Sequence, residues 1–449
     1  MNRKLGYGAA LSLVVGNIIG VGIFTTTGFM AQYIRSPLIV VLAWLVGALY
    51  ALSGAIVYGI LVKHYPLSGG DYQYLSRAIH PFTGYVFGWS CFFVTYSGSI
   101  AALSIGAAIY LGGLLECVNF KAALISIPFL SFELSLTKVT AIVLILIFSW
   151  INLQGIMISG RYQIILTATI FIFLLLFSFA GTISSVVNFD FLLVGGEIET
   201  SISGFFTALV AVLFSYMGWT SAVYVAEEIN KAAKTIPHIL LIGVLLVGFI
   251  YLWTNLVYLI AVPLENMIDV VNVAAIVSTK LWGNEGNIII SGFVFIAILS
   301  SLNSTILSGP RIYMAMGRDN YFYSITKKIH QKYYTPANAL MLQAAWCIIL
   351  VISGSFNQLL SFVVFIAIIF SILAGLVSFY KKPQRLWQTM AIIFYLAFCT
   401  MILINTLWQR PYESIIGMMI VGVAIPFYFI EQRRRRNLLK DDSFDQLTN

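Results

Sequence analysis

The sequence predicts an all-α integral membrane protein of twelve transmembrane helices, built as two inverted five-helix repeats with broken first and sixth helices, plus two C-terminal helices. Three observations lead there. Of 449 residues, 60% are hydrophobic and 9% charged, against roughly a quarter charged in an ordinary soluble domain. Apolar runs recur from end to end between short polar loops, each near the roughly 20 residues that a hydrocarbon core requires. Two of these runs are interrupted in the same way, five helices apart.

The predicted spans are residues 6–33, 37–61, 82–112, 137–156, 160–183, 203–229, 237–262, 287–317, 337–355, 358–380, 386–408 and 412–430. The first run is rich in glycine and is not followed by a small-residue cleavage site and a polar mature region, so it reads as a retained helix. No linker rich in Pro, Ser or charge divides the chain. Residues 1–432 therefore form one membrane domain, with repeats over about 6–183 and 203–380 and extra helices over about 386–430. Residues 433–449, basic and then acidic, have too little apolar surface to fold alone and are expected to be disordered.

Orientation follows from lysine and arginine, which concentrate in cytoplasmic loops. With the N-terminus inside, 20 of the 25 fall on the cytoplasmic side, including Lys63, Arg77, Arg161, Lys231, Arg318, Lys327 and the run Arg433 to Arg436. Arg35, Lys121, Lys138, Lys280 and Arg410 fall outside. An even number of spans then puts both termini in the cytoplasm, as expected of a bacterial inner membrane protein. This asymmetry accounts for the net charge of +8 without a nucleic-acid partner. The arginine run is placed on anionic lipid headgroups. Cys91, Cys117, Cys347 and Cys399 show no paired spacing, so neither a disulfide framework nor a metal site is expected, and no cofactor is implied.

The interruptions are the most informative feature. In the first run, Gly16-Asn17-Ile18-Ile19-Gly20-Val21-Gly22-Ile23-Phe24 places Gly20 and Gly22 within three residues. In the sixth, Phe214-Ser215-Tyr216-Met217-Gly218-Trp219-Thr220 breaks an otherwise apolar stretch. Glycine lets the backbone leave helical angles, and the N–H and C=O groups so freed must find partners inside hydrocarbon. A zwitterion supplies both kinds, its carboxylate suiting the N–H groups of a half-helix start and its ammonium suiting freed carbonyls. Paired breaks at the repeat interface are where such a ligand is expected. The other use of these glycines is close helix packing.

Four stretches, in this order and spacing, resemble the amino acid-polyamine-organocation transporters, whose members have the leucine-transporter fold. They are Gly16 to Gly28, Pro66-Leu67-Ser68-Gly69-Gly70-Asp71-Tyr72-Gln73-Tyr74, Tyr216 to Glu228 with Asn230 and Pro237, and Ser301-Leu302-Asn303 through Gly309-Pro310-Arg311 to Gly317-Arg318-Asp319. The last two predicted helices are similar in hydropathy alone. The resemblance implies an amino acid carrier in which the N–H groups of Val21, Gly22 and Ile23 hold the substrate carboxylate. Carbonyls near Ile18, Ile19, Ser215 and Tyr216 would take its ammonium, and Gly20 and Gly218 would open the two breaks. Side-chain selectivity would come from Phe214, Tyr216, Trp219 and Asn303. The aromatics equally suit a helix-packing cluster, and Asn303 equally suits a bond to a neighbouring helix.

One departure stands out. Many relatives carry a lysine in the fifth helix, a few residues after a glutamine and a threonine; counted from Gln163 and Thr167, that position is Ile170. Proton coupling through that lysine is therefore not implied. Hydroxyls of Ser300, Ser301 and Ser304, with carbonyls around Gly20, could form an oxygen-lined ion site, or they could bond back to their own helix. Glu227, Glu228 and Arg311, with Arg318, sit where an ion-pair gate would close the inward path, and Phe214 and Tyr216 are candidates for an aromatic gate.

Away from helix ends the predicted spans hold no Asp, Glu, Lys or Arg, residues that mark charged-substrate pathways. A neutral amino acid is the economical substrate, by exchange or uptake. A cationic amino acid or polyamine is the alternative, through cation–π contact with Trp or Tyr faces. Enzymatic chemistry needs an acid, base or metal beside the reacting atom, whereas His64, His80, His238 and His330 all fall in loops or at helix ends. Rings of like charge that would mark a channel are absent; binding without flux would mark a sensor.

Overall fold

The computed structural model describes residues 5–115, 120, 123–127, 132–192, 201–353, 356–381, 385–409 and 411–445. Cys117, Lys121, Arg410 and the last four residues of the expected tail lie outside them. In chain order the helices are α1 (Tyr7–Ile18), α2 (Gly22–Ala31), α3 (Pro37–His64), α4 (Asp71–Ala78), α5 (Pro81–Ser90), α6 (Tyr96–Leu114), α7 (Leu136–Leu153), α8 (Ile156–Ile183) and α9 (Ile202–Ser215). They continue with α10 (Ser221–Tyr224), α11 (Ala232–Ala261), α12 (Val273–Trp282), α13 (Asn284–Arg318), α14 (Ala337–Ser353), α15 (Phe356–Tyr380), α16 (Leu386–Gln409) and α17 (Pro411–Asp445). A π-helical turn, Cys91–Thr95, joins α5 to α6. A hairpin of β1 (Ala123–Ile127) and β2 (Phe132–Ser135) pairs antiparallel, with Ile127 opposite Phe132.

Among the described residues nine helical segments are long and apolar enough to cross a membrane, with four shorter apolar helices beside them. This is a multi-pass membrane architecture. Local chemistry sets several starts. Pro37 and Pro81 stand at first-turn positions, where a missing N–H costs nothing. Ser201 and Asn272 cap α9 and α12 by accepting from the N–H groups of Gly204 and Ala275 at 3.0 and 3.1 Å, satisfying donors a helix start leaves open.

Four elements differ from the sequence reading. The loop after α3 contains α4, whose buried face is Tyr72, Tyr74 and Leu75. The hairpin and α12 occupy predicted loops, being too short to register as spans. Instead of ending in disorder at 433, α17 continues helically through the arginine run to Asp445, since Arg, Leu and Lys are all good helix formers.

Packing depends on small residues, which let backbones approach where burial of apolar surface gives no driving force between helices. α3 runs along α11 and against α9, with Gly47 facing Val212 and Tyr216, Gly54 facing the Trp219 ring, and Ala48 beside Gly248. A Cβ at Gly47 would lie 2.6 Å from Val212 Cγ1 and 2.9 Å from Tyr216 Cδ2. Gly47→Leu should therefore destabilise by about 1–3 kcal/mol, read as a lower unfolding temperature in detergent. Gly292→Ala, where nothing lies within 4 Å, should not lower it.

Candidate functional site

Both expected breaks are present and face each other. Between α1 and α2 the chain leaves helical geometry over Ile19–Val21; between α9 and α10 it turns over Tyr216–Thr220. Gly218 adopts φ +108°, and a Cβ there would lie 2.5 Å from the Asn17 carbonyl oxygen. Both the left-handed backbone and the close approach require glycine. At Gly22 a Cβ would meet Ser215 Oγ at 2.5 Å, so the start of α2 lies directly on the end of α9. Thr26 and Ser215 share a hydroxyl bond of 2.7 Å at the same crossing.

The carbonyls around the breaks are met by neutral side chains. Tyr251 of α11 donates to Ile18 O at 2.9 Å and to Ser215 O at 3.4 Å, bridging the two broken helices. Asn17 Nδ2 donates to Gly218 O at 2.9 Å. Ser301 donates to Gly16 O and Ile19 O at 3.2 and 3.4 Å. Ser221 and Ser304 both donate to Leu13 O, while Gln163 and Thr167 donate to Ser12 O. A carbonyl oxygen accepts two bonds, so Ile18 and Ser215 each keep capacity for a ligand donor. The opening N–H groups of α2, from Gly22 and Ile23, have no intrahelical acceptor, as at any helix start.

The aromatic candidates part company. Tyr216 is fully buried, its hydroxyl donating to Trp44 O at 3.3 Å and its ring 5.1 Å from Tyr251. Trp219 is enclosed by Tyr58 and Tyr395, with ring centroids at 4.9 and 6.4 Å, and by Gly54. Phe214 is 47% exposed and Val21 36%. Phe214 and Val21 are therefore the exposed candidates beside the breaks, whereas Tyr216 and Trp219 brace the second break against α3.

Asn303 is fully buried and engaged at both ends of its amide. It donates to Gln163 Oε1 at 2.8 Å and accepts from Asn152 at 2.9 Å, and Asn152 in turn accepts from Ser159 at 2.7 Å. Ser300 joins the same network through Gln163 and Thr167, at 3.0 and 3.2 Å. Ser301 and Ser304 spend their protons on carbonyls of α1.

Glu227, Glu228 and Arg311 come together with Arg318 at the basic end of the bundle. Arg311 holds Glu228 with two bonds of 2.8 and 3.1 Å, both side chains at most 2% exposed. Arg311 also donates to Leu307 O. Arg318 pairs with Glu227 at 2.9 Å in a partly exposed setting. Leu5 N–H donates to Glu228 O at 2.7 Å, so the N-terminal segment is stitched into the same closure.

Sequence reasoning missed Tyr251 and Asn17 as partners of the breaks, and Ser221, Gln163 and Thr167 as partners of the α1 carbonyls of Leu13 and Ser12. Each is a polar residue inside an apolar run, and that was the available signal. Among the described residues no three His, Cys, Asp or Glu side chains gather as a metal site would require. Cys91, Cys347 and Cys399 are buried free thiols.

Two facing helix breaks in a multi-pass bundle, with donors and acceptors but no Asp, Glu, Lys, Arg or His at either break, define a membrane carrier of a small polar solute. The chain belongs to the amino acid permease family, whose model matches residues 5–430, and it is an amino acid transporter. It is similar to the large neutral amino acids transporter small subunit 2 of Oryctolagus cuniculus, 26% identical over 96% of this chain and 80% of the relative. It is also similar to the serine/threonine exchanger SteT of Bacillus subtilis (strain 168), 25% identical over 86% of this chain and 84% of the relative. The Asc-type amino acid transporter 1 of Mus musculus is 24% identical over 96% and 81%.

Two outcomes are expected. Arg311→Ala leaves Glu228 buried and unpaired, which costs about 3–5 kcal/mol, whereas Arg318→Ala opens a surface pair worth at most about 1 kcal/mol; unfolding midpoints of the two variants in detergent will rank them. Gly22→Leu should abolish amino acid binding by scintillation proximity while folded protein still reaches the membrane, because the side chain forces the start of α2 away from Ser215 and displaces its opening N–H groups.

Proposed function

We propose that this protein is a secondary transporter of neutral L-amino acids working by exchange across a bacterial inner membrane. The observation that carries the reading is the facing of the two breaks, bridged by Tyr251 and by Asn17. The substrate carboxylate lies on the N–H groups of Val21, Gly22 and Ile23, and its ammonium on the spare lone pairs of the Ile18 and Ser215 carbonyls. Gly20 and Gly218 give the chain its turns at these points. Ile19 and Tyr216 complete the wall from behind, Trp219 braces it, and Asn303 positions α13 rather than touching substrate. Ser301 and Ser304 act as hydrogen-bonding groups that hold the first broken helix, and Ser300 as one that holds Gln163 and Thr167, in place of an ion site.

The twelve spans form inverted repeats over about 6–183 and 203–380, with two added helices, both termini cytoplasmic and residues beyond about 433 forming a tail. In that frame the Arg311–Glu228 pair, with Glu227 and Arg318, is the inner gate, and it is closed here. Phe214, half exposed, is the outer gate swung open. Alternating access then moves the broken helices against the rest around a fixed site. Exchange and a neutral side chain are favoured by the relatives, one an exchanger of serine and threonine and one a transporter of large neutral amino acids. A cationic substrate finds less support, because the Trp219 ring is enclosed by Tyr58 and Tyr395 and offers no open face for a cation.

The test is uptake of labelled amino acids into proteoliposomes, preloaded with unlabelled amino acids or empty. Preloading should stimulate uptake strongly, and serine, threonine, alanine or the larger neutral species should compete while lysine and arginine do not. Equal saturable uptake in empty vesicles would replace exchange by uniport or ion coupling. No flux in either would leave a sensor.

A further inference from the structure

The segment Ser68-Gly69-Gly70-Asp71 holds one short half-helix, α10, through three contacts with Tyr224 and the turn after it through two with Glu227. Gly69 N–H donates to Tyr224 O at 3.0 Å. Gly70, at φ +50°, lies against the Tyr224 ring so closely that a Cβ would sit 2.6 Å from two of its carbons. Asp71 accepts the Tyr224 hydroxyl at 2.5 Å. Ser68 exchanges two bonds with Glu227 just beyond α10, its N–H donating to Oε1 at 3.2 Å and its hydroxyl accepting the Glu227 N–H at 3.1 Å. Asp71 also accepts from Tyr58 of α3 at 2.6 Å, so one carboxylate joins the segment, α3 and α10.

Asp71 is buried and has phenols where a buried carboxylate ordinarily has a cation. The titratable groups around it are Tyr58 from α3, Tyr224 from α10, Tyr74 from α4, Cys91 from the π-helical turn, Tyr96 from α6 and Tyr395 from α16. The nearest charged groups are engaged elsewhere, Arg311 with Glu228, Arg318 with Glu227, Arg77 with Gln73, Asp319 with Tyr72 and Lys381 over the Tyr65 ring, while Lys63, in the last turn of α3, is exposed. His64 bonds the Ile60 carbonyl, and His80 accepts the Phe82 N–H.

We propose that Ser68–Asp71 is a clamp on α10, and that Asp71, by gaining or losing a proton, sets how tightly the clamp closes, so that opening on this face responds to pH. The link to transport rests on the alternating-access reading above, in which α10 moves to release substrate; the clamp itself does not. Burial raises the Asp71 carboxyl from 3.8 to about 6, against the lowering effect of the two phenol bonds. Once α10 leaves and water reaches the carboxyl, its affinity for the proton falls back toward the ordinary value. A group with the higher pKa in the clamped state takes up a proton on closing. The clamp therefore tightens as pH falls through about 6 and loosens above it.

The experiment is hydrogen–deuterium exchange of the full chain in lipid nanodiscs, following the amides of residues 68–73 at pH 7.5 and 5.5 after correction for intrinsic exchange. From pKa values of 3.8 and about 6, linkage gives a rise in protection of about fourfold at the lower pH. Asp71→Asn should show no pH response. Tyr224→Phe keeps the ring against Gly70, removes one bond that favours the carboxylate, and should move the response to higher pH; it also serves if Asp71→Asn does not fold. Equal wild-type protection at both pH values, or a fourfold rise retained in Asp71→Asn, would overturn the clamp. A protection change without amino acid flux would sustain the clamp and sink the transport reading.

Discussion

Inside hydrocarbon a peptide group with no partner costs several kcal/mol, and this one constraint organises the molecule. Long helices meet it without help. The two places where helices stop, at Ile19–Val21 and Tyr216–Thr220, are held by side chains from α1, α11 and α13 that arrive to replace lost bonds. Tyr251 is central among them, since a single hydroxyl reaches a carbonyl of each break. The breaks are thus products of tertiary structure, and the Ile18 and Ser215 carbonyls each keep a lone pair that tertiary bonds do not fill.

All the donors that serve the breaks are neutral: serine and threonine hydroxyls, one tyrosine, and the amides of Asn17 and Gln163. Neutral donors hold the backbone without drawing charge into the bundle. Charge is concentrated instead at the basic end, where Arg311 and Glu228 satisfy each other with two bonds and two side chains buried together. That buried pair and the half-exposed Phe214 beside the second break are the two most unlike settings among the candidate site residues. Small residues on α3 do the remaining work, because Gly47 and Gly54 let Tyr216 and Trp219 lie flush against that helix.

Much of the fold was legible because hydropathy and glycine placement are local signals. The long spans start and stop near their expected bounds, and both breaks fall where Gly20–Gly22 and Gly218 put them. The short elements were not legible. α4 and α12 have too few residues for a period to emerge, and the hairpin is stabilised by pairing across a loop. Among site residues, the pairing of Glu228 with Arg311 could be anticipated from polar residues at helix ends. The division of labour among the aromatics could not, since Phe214, Tyr216 and Trp219 lie within six residues of one another and only their neighbours decide which is exposed.

What the sequence by itself determined is everything that depends on composition and near-neighbour spacing: a helical membrane bundle, two broken helices, a basic end, and membership among carriers of amino acids. What only the tertiary structure decided is which atoms meet. Asn303, a candidate for the ligand, turned to Gln163 and Asn152, because a buried amide takes whatever partners surround it. Ser301 and Ser304 turned to carbonyls of the first broken helix, and Ser300 to Gln163 and Thr167. Tyr251, unremarked in an apolar run, became the bridge between the breaks. Hydrogen bonding is directional and short-ranged, so its partners are fixed by the packing of helices distant in sequence, and no pattern along one strand of residues encodes them.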